Sequence, residues 1–227
     1  MKKFLKVLGV LLVIGIMLAV VFGYPAYQAI YAPNVPSDLE NKYVDIPSNS
    51  TFDDVVRALA DGDFLIDESS FRRVSSWMKF DKRKTMRAGR FEVKPEMTNR
   101  ELISHLRVGE QATVDLVISY GRLLEDVAGT SAVFIEADSL SILNKIRNIS
   151  YVQELGFKPE TAMTMVIPNK YNFYWNTDAS QFWERMAKEH KNFWTTERLA
   201  KAKDLNLTKE EVYTLASIVE GETKYNP

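Results

Sequence analysis

The chain contains no cysteine. It can therefore form no disulfide framework, no thiolate metal site and no cysteine nucleophile. Histidine is scarce: His105 and His190 are the only two, far apart in sequence and without acidic neighbours at metal-ligand spacing, so no metal site is expected. Neither sign of charge dominates, since 29 Lys and Arg face 30 Asp and Glu for a net charge of −1. A nucleic-acid partner usually leaves a strongly basic domain, and none is expected here. The phosphate-cradling GxxxxGK[ST], the dinucleotide GxGxxG and the GxSxG nucleophile elbow are all missing. What remains is ordinary globular composition, 46% hydrophobic and 26% charged in 227 residues, enough for one large domain or two small ones.

The first departure from the ordinary is at the N-terminus. Lys2, Lys3 and Lys6 precede VLGVLLVIGIMLAVVFGY, eighteen uncharged residues from Val7 to Tyr24. That is long enough for a membrane span, whereas the apolar stretch of a cleaved signal peptide is typically only ~7–15 residues. Tyr24 and Tyr27 suit the membrane interface. The reading is a cytoplasmic N-terminus over 1–6 and a retained transmembrane anchor over 7–27, with cleavage after Gly23 as the alternative. The lysines place the N-terminus inside, so the rest of the chain faces the envelope side of the inner membrane. Residues 28–43, containing the polar, proline-bearing APNVPSDLENK, read as a tether.

Beyond the tether a pattern occurs twice. IPSNSTFDDVVRAL and VKPEMTNRELISHL each carry an apolar lead, a proline turn, a threonine, an acid three residues on, and a doublet of branched apolar residues. Thr98 with Glu101 forms a capping-box pattern and Thr51 with Asp54 a shorter version, so both segments predict strand, turn and helix. Between them Phe71, Val74 and Met78 recur at helical spacing, which gives an order β-α-α-β-α for 43–107. The connector KFDKRKTMRAGR has six cations against one Asp and reads as a solvated loop, with a patch for anionic lipid headgroups or polymer carboxylates as the alternative. ATVDLVIS alternates like a half-buried strand, and Gly121 then opens the helical RLLEDVA. Pro168-Asn169 marks a turn within a β-branched and aromatic stretch. Asp178 and Gln181 cap a helix whose face carries Phe182, Met186, His190 and Phe193. Thr208 and Glu211 open a last helix with Val212, Leu215, Ala216 and Val219 on its expected buried stripe. Mixed in this way, the elements predict an α+β fold.

On that last helix Glu220 and Glu222 fall on opposite edges of the apolar stripe. A carboxyl group half in an apolar layer is desolvated, and desolvation favours the protonated form that a general acid needs. Tyr171, Phe173, Tyr174 and Trp175, with Asn169, Asn172 and Asn176 among them, suggest rings for stacking on sugars and amides for bonding hydroxyls. The same pattern also builds ordinary cores and loops.

Three stretches in order, AGRFEVKPEMTNRELISHLRVGEQATVDLVI, IPNKYNFYWNT and LASIVEGET, resemble the MltG/YceG-like family of endolytic murein transglycosylases, in a form similar to that of Bacteroidota-type bacteria. The resemblance runs from about Pro47 to the end. It implies a membrane-anchored enzyme with a LysM-like β-α-α-β subdomain over 44–107 and a YceG-like catalytic domain over 108–227. It also implies cleavage of nascent peptidoglycan strands between N-acetylmuramic acid and N-acetylglucosamine to leave 1,6-anhydro ends, with no cofactor. Glu220 matches the catalytic first acid of the family's ASIVExET motif and Glu222 the second. Asn169, Tyr171, Phe173, Tyr174 and Trp175 are candidate lining residues of the glycan groove, and cell-wall synthases are candidate partners. Gly221 stands where the family usually has Lys. The family's following segment, which helps to build the cleft, is not in the sequence, so an incomplete catalytic domain of low activity is expected. The rival readings are a non-catalytic, anchored peptidoglycan-binding module and a scaffold for cell-wall synthases.

Overall fold

The computed structural model describes residues 9, 11, 12, 14, 15, 17, 19–119 and 123–223. Its contacts divide the chain into two units, 1–112 and 113–227.

In the first unit a π-helical turn, Ala19–Gly23, runs into α1, Tyr24–Tyr31. Strand β1, Tyr43–Ile46, then leads through α2, Phe52–Asp61, and α3, Glu68–Trp77, to β2, Gly89–Glu92, and α4, Asn99–Val108. This is the expected β-α-α-β-α order. Strands β1 and β2 pair antiparallel, Val44 opposite Phe91, with Val44, Ile46 and Phe91 inward against Val55, Leu59, Phe71, Leu102 and Ile103. Both helix starts are fixed locally. Thr51 Oγ1 accepts from the Asp54 amide while the Asp54 carboxylate accepts from the Thr51 amide, and Thr98 and Glu101 repeat the exchange.

No described helix is long and apolar enough to cross a membrane. Lys2, Lys3 and Lys6 and part of the run Val7–Tyr24 lie outside the described residues. Of the described part, Leu11, Leu12, Ile14, Met17, Val20 and Val21 are exposed apolar side chains.

Part of 28–43, the segment read as a tether, packs on the first unit. Asn34 and Val35 are buried at 5% and 1% exposure. The Asn34 side chain accepts from the Asp67 amide, donates to the Asp67 carbonyl and donates to Asn99 Oδ1. Asn99 in turn donates to the Ala29 carbonyl and to Ser70 Oγ. An amide side chain can satisfy both a backbone donor and a backbone acceptor, and this pair uses that capacity to dock the incoming segment on α3 and α4. Replacing Asn99 by Ala strands several of these groups in the interior and is expected to cost about 1–3 kcal/mol, seen as an earlier unfolding transition in urea.

Residues 108–112 also belong to the first unit. The Ala112 amide donates to the Arg90 carbonyl at 2.8 Å, Arg87 donates to the Gly109 carbonyl and Gln111 to the Ala88 carbonyl. Two cations of the basic connector are thus in structural use, since Arg90 makes a bidentate pair with Asp45 at 2.7 Å. Lys79, Lys82, Arg83 and Lys84 are exposed.

In the second unit β3, Thr113–Ile118, pairs antiparallel with β4, Asn169–Tyr174, Leu116 facing Tyr171. Gly121 and its neighbours lie outside the described residues; the helix that follows, α5, spans Leu124–Ala132. Three short elements follow: α6, Ser139–Arg147, α7, Ile149–Glu154, and a 3-10 helix, Pro159–Met165. After β4 come α8, Ala179–Phe193, α9, Thr196–Asp204, and α10, Lys209–Thr223. The core joins Leu116, Ile118, Tyr171 and Phe173 of the strands to Ile142, Ile146, Phe182, Trp183 and Met186 of the helices. Helices packed on short antiparallel sheets make the fold α+β.

Candidate active site

The second unit contains a cleft of about 680 Å³. One wall is α10. The opposite wall is made by the end of β3, the 3-10 helix and the link into β4, through Ile118, Met163, Val166, Ile167 and Pro168, and the C-terminal end of α8 closes it with His190, Phe193 and Trp194. The walls are largely apolar. Among the described residues lining it, Glu220 is the one carboxylate and Lys209 the one lysine or arginine.

Why Glu220 is there follows from the helix. Thr208 caps α10, its hydroxyl accepting from the Glu211 amide while the Glu211 carboxylate accepts from the Thr208 amide. At about 100° per residue, Lys209, Tyr213, Ala216 and Glu220 then fall along one edge. That edge faces the cleft. Of the expected stripe, Val212 and Ala216 border the cleft, whereas Leu215 and Val219, about 100–140° round the helix from Glu220, are 49% and 54% exposed. The correction has a physical cause. Periodicity defines the faces of a helix, but neighbours decide which is covered, and the 3-10 helix and the end of α8 share the cleft with the Glu220 edge of α10. The same rotation separates the two acids, because Glu220 is half-buried in the cleft whereas Glu222 is exposed.

Two neighbours that sequence reasoning did not assign share the cleft. Tyr213, two turns before Glu220 on the same edge, is half-buried. Burial, and then the charge of Glu220, push its phenol above the usual range. His190, which the helical pattern placed on the inner face of α8, is 7% exposed. Its Nε2 accepts from the Trp194 indole N–H at 3.1 Å, which requires a neutral ring with its proton on Nδ1. Phe157 stacks edge-on against it at 4.9 Å. Burial lowers the His190 pKa, Lys209 lowers it further, and Glu210 acts in the opposite sense.

The aromatic candidates distribute differently from expectation. Tyr171 and Phe173 are 3% and 5% exposed, inside the core, and do not form a sugar-stacking wall. The alternation of β4 turns every second side chain inward, and these two are the inward ones. The Tyr171 hydroxyl donates to the Ile167 carbonyl, and burial pushes its pKa up to about 12. Tyr174 is exposed on the opposite face with Asn172, whose amide donates to Asp115. Trp175 packs half-buried against the core, and Asn169 is exposed beside Pro168 of the cleft wall. Among the described residues no group of three or more histidines and carboxylates is placed to hold a metal ion.

Comparison with known proteins adds the following. None of the curated proteins matches the chain. A crystal structure of a yceG-like protein, lmo1499, from Listeria monocytogenes is similar at 18% identity over 74% of this chain, with a TM-score of 0.41. The chain spans 59% of the length of that protein. The YceG-like family model matches residues 44–227. By that match, which covers most of its length, the chain belongs to the YceG-like family.

Proposed function

We propose that this protein is an endolytic peptidoglycan lytic transglycosylase with Glu220 as its general acid and base. The observation that carries the reading is the half-buried Glu220 as the only carboxylate among the described residues lining an apolar-walled cleft. A glycoside hydrolase normally needs two carboxyl groups about 5–9.5 Å apart, one to protonate the leaving oxygen and one to act as base or nucleophile. A single acid suits the lytic route. Protonated Glu220 donates to the glycosidic oxygen as the bond from C1 of N-acetylmuramic acid breaks. The carboxylate so formed takes the proton of the same sugar's 6-hydroxyl as that oxygen closes on C1. Acid and base are one group at two moments, and no water is consumed.

The family match supports peptidoglycan as the substrate class. In this reading the uncharged run from Val7 anchors the protein in the inner membrane, with the N-terminus cytoplasmic and both units facing nascent strands. Cell-wall synthases that make those strands are the natural neighbours. Cleft residues in contact with the sugar are Glu220 with Tyr213 and Ser217 beside it, rather than the buried Tyr171 and Phe173.

The test is end-group analysis of purified glycan strands after digestion by the protein. Internal cuts with anhydro-ended fragments are expected. Reducing ends only would refute the assignment.

A further inference from the structure

Glu220 is not the only charged group that α10 turns into the cleft. Lys209, at the start of the helix, lines the same cavity. Eleven residues of an α-helix bring the chain back to within about 20° of its starting direction, so Lys209 and Glu220 share one edge, about three turns and roughly 16 Å apart. Lys209 makes none of the ion pairs found among the described residues. Its ammonium lies 6.0 Å from the centre of the Trp194 ring. The neighbouring His190 is kept neutral through its Trp194 hydrogen bond and adds no positive charge. At this end the cleft lining carries one cation against apolar and aromatic walls, where reduced solvent screening strengthens its pull on an anion, while the adjacent Glu210, whose charge reaches His190, does not line the cavity.

A glycan of N-acetylglucosamine alone is neutral, whereas every muramyl unit carries a carboxylate, either on its free lactyl group or at the end of a peptide stem. From this contrast we propose that Lys209 is a substrate-selecting subsite, holding a carboxylate of the polymer while the bond to be cut lies at Glu220. The proposal rests on the glycan-cleaving reading above. It gives the cleft a direction, because a strand with a carboxylate at Lys209 lies along α10 towards the acid. It also separates muramyl polymers from neutral chitin-like ones.

The test is binding to the Glu220→Gln form, in which turnover does not interfere. Three probes are used: strands with peptide stems, strands stripped of stems but keeping lactyl carboxylates, and neutral chitin oligosaccharides. One or both carboxylate-bearing probes should bind more tightly than the neutral one, and which of them does identifies the carboxylate used. Lys209→Met should remove roughly fivefold of that affinity, leave the neutral probe unchanged and flatten the salt dependence; Lys209→Arg should retain the preference. Circular dichroism checks that both variants fold. Equal binding of all three probes, or a preference that survives Lys209→Met, overturns the subsite while leaving the role of Glu220 to end-group analysis. Absence of binding to every probe overturns both.

Discussion

Replacing Glu220 by Gln is expected to slow formation of anhydro ends by about 10²–10⁴-fold, the usual contribution of one positioned acid-base group. The substitution keeps the side chain's size and a hydrogen-bonding end but removes the proton that the leaving oxygen requires. It acts on both half-reactions, since the same group must protonate the departing sugar and then deprotonate the 6-hydroxyl. Stability should stay within about 0.5 kcal/mol of the parent, because the residue is only half-buried near the end of α10. Glu222→Gln is the internal control. Its carboxylate is exposed, so the strand-cleaving rate should change little. A variant pair in which Glu222 mattered and Glu220 did not would mean that α10 presents its other edge to substrate.

The second large effect concerns stability. Trp183 is fully buried at the centre of the second unit, edge-on to Phe182 at 5.0 Å, with its indole N–H donating to the Ile142 carbonyl at 2.9 Å. Trp183→Ala removes the largest side chain of that core and leaves a cavity, at an expected cost of about 3–5 kcal/mol. That is a large part of the stability of an ordinary domain, and the second unit should be mostly unfolded at moderate temperature. Trp183→Phe restores most of the volume but not the donor. It should recover most of the loss, with a residual cost of about 0.5–1.5 kcal/mol for the lost indole hydrogen bond, since the Ile142 carbonyl keeps its place in the helical ladder of α6. Urea unfolding monitored in the far ultraviolet distinguishes the two variants. Equal stability of all three forms would place the core elsewhere.

How much of this was legible before the structure depends on how local the determining chemistry is. The starts of α2, α4, α8 and α10 were readable because a capping box is an exchange between residues three apart, and Thr51, Thr98, Asp178 and Thr208 carry it whatever surrounds them. Strand β3, which opens the second unit, announced itself by the alternation of ATVDLVIS. The stretch from 135 to 165 did not. Its helices are short, and a few turns of helix are held by packing rather than by propensity. The signals available were slight: Asp138 accepting from the Ser141 amide and Asn148 from the Tyr151 amide.

The site shows the same division. The motif drew attention to Glu220, and helical geometry placed it and Glu222 on different edges. Which edge meets the cleft is set by the 3-10 helix and the end of α8, elements distant in sequence. For the same reason Tyr213, His190 and Lys209 came together only in three dimensions. Conversely, the aromatic run in β4 suggested a binding surface, yet pairing with β3 turns Tyr171 and Phe173 inward and leaves Tyr174 outward. An alternating strand read without its partner does not reveal which side is core.

The central claim is that one carboxyl group cuts a glycan without consuming water. It is tested most directly by mass spectrometry of the chain ends released in ¹⁸O-water by the protein and by its Glu220→Gln form. The account predicts label-free ends lacking the elements of one water from the parent, and almost no ends from the variant. Ends carrying ¹⁸O, or label-free ends released equally by both forms, would contradict it.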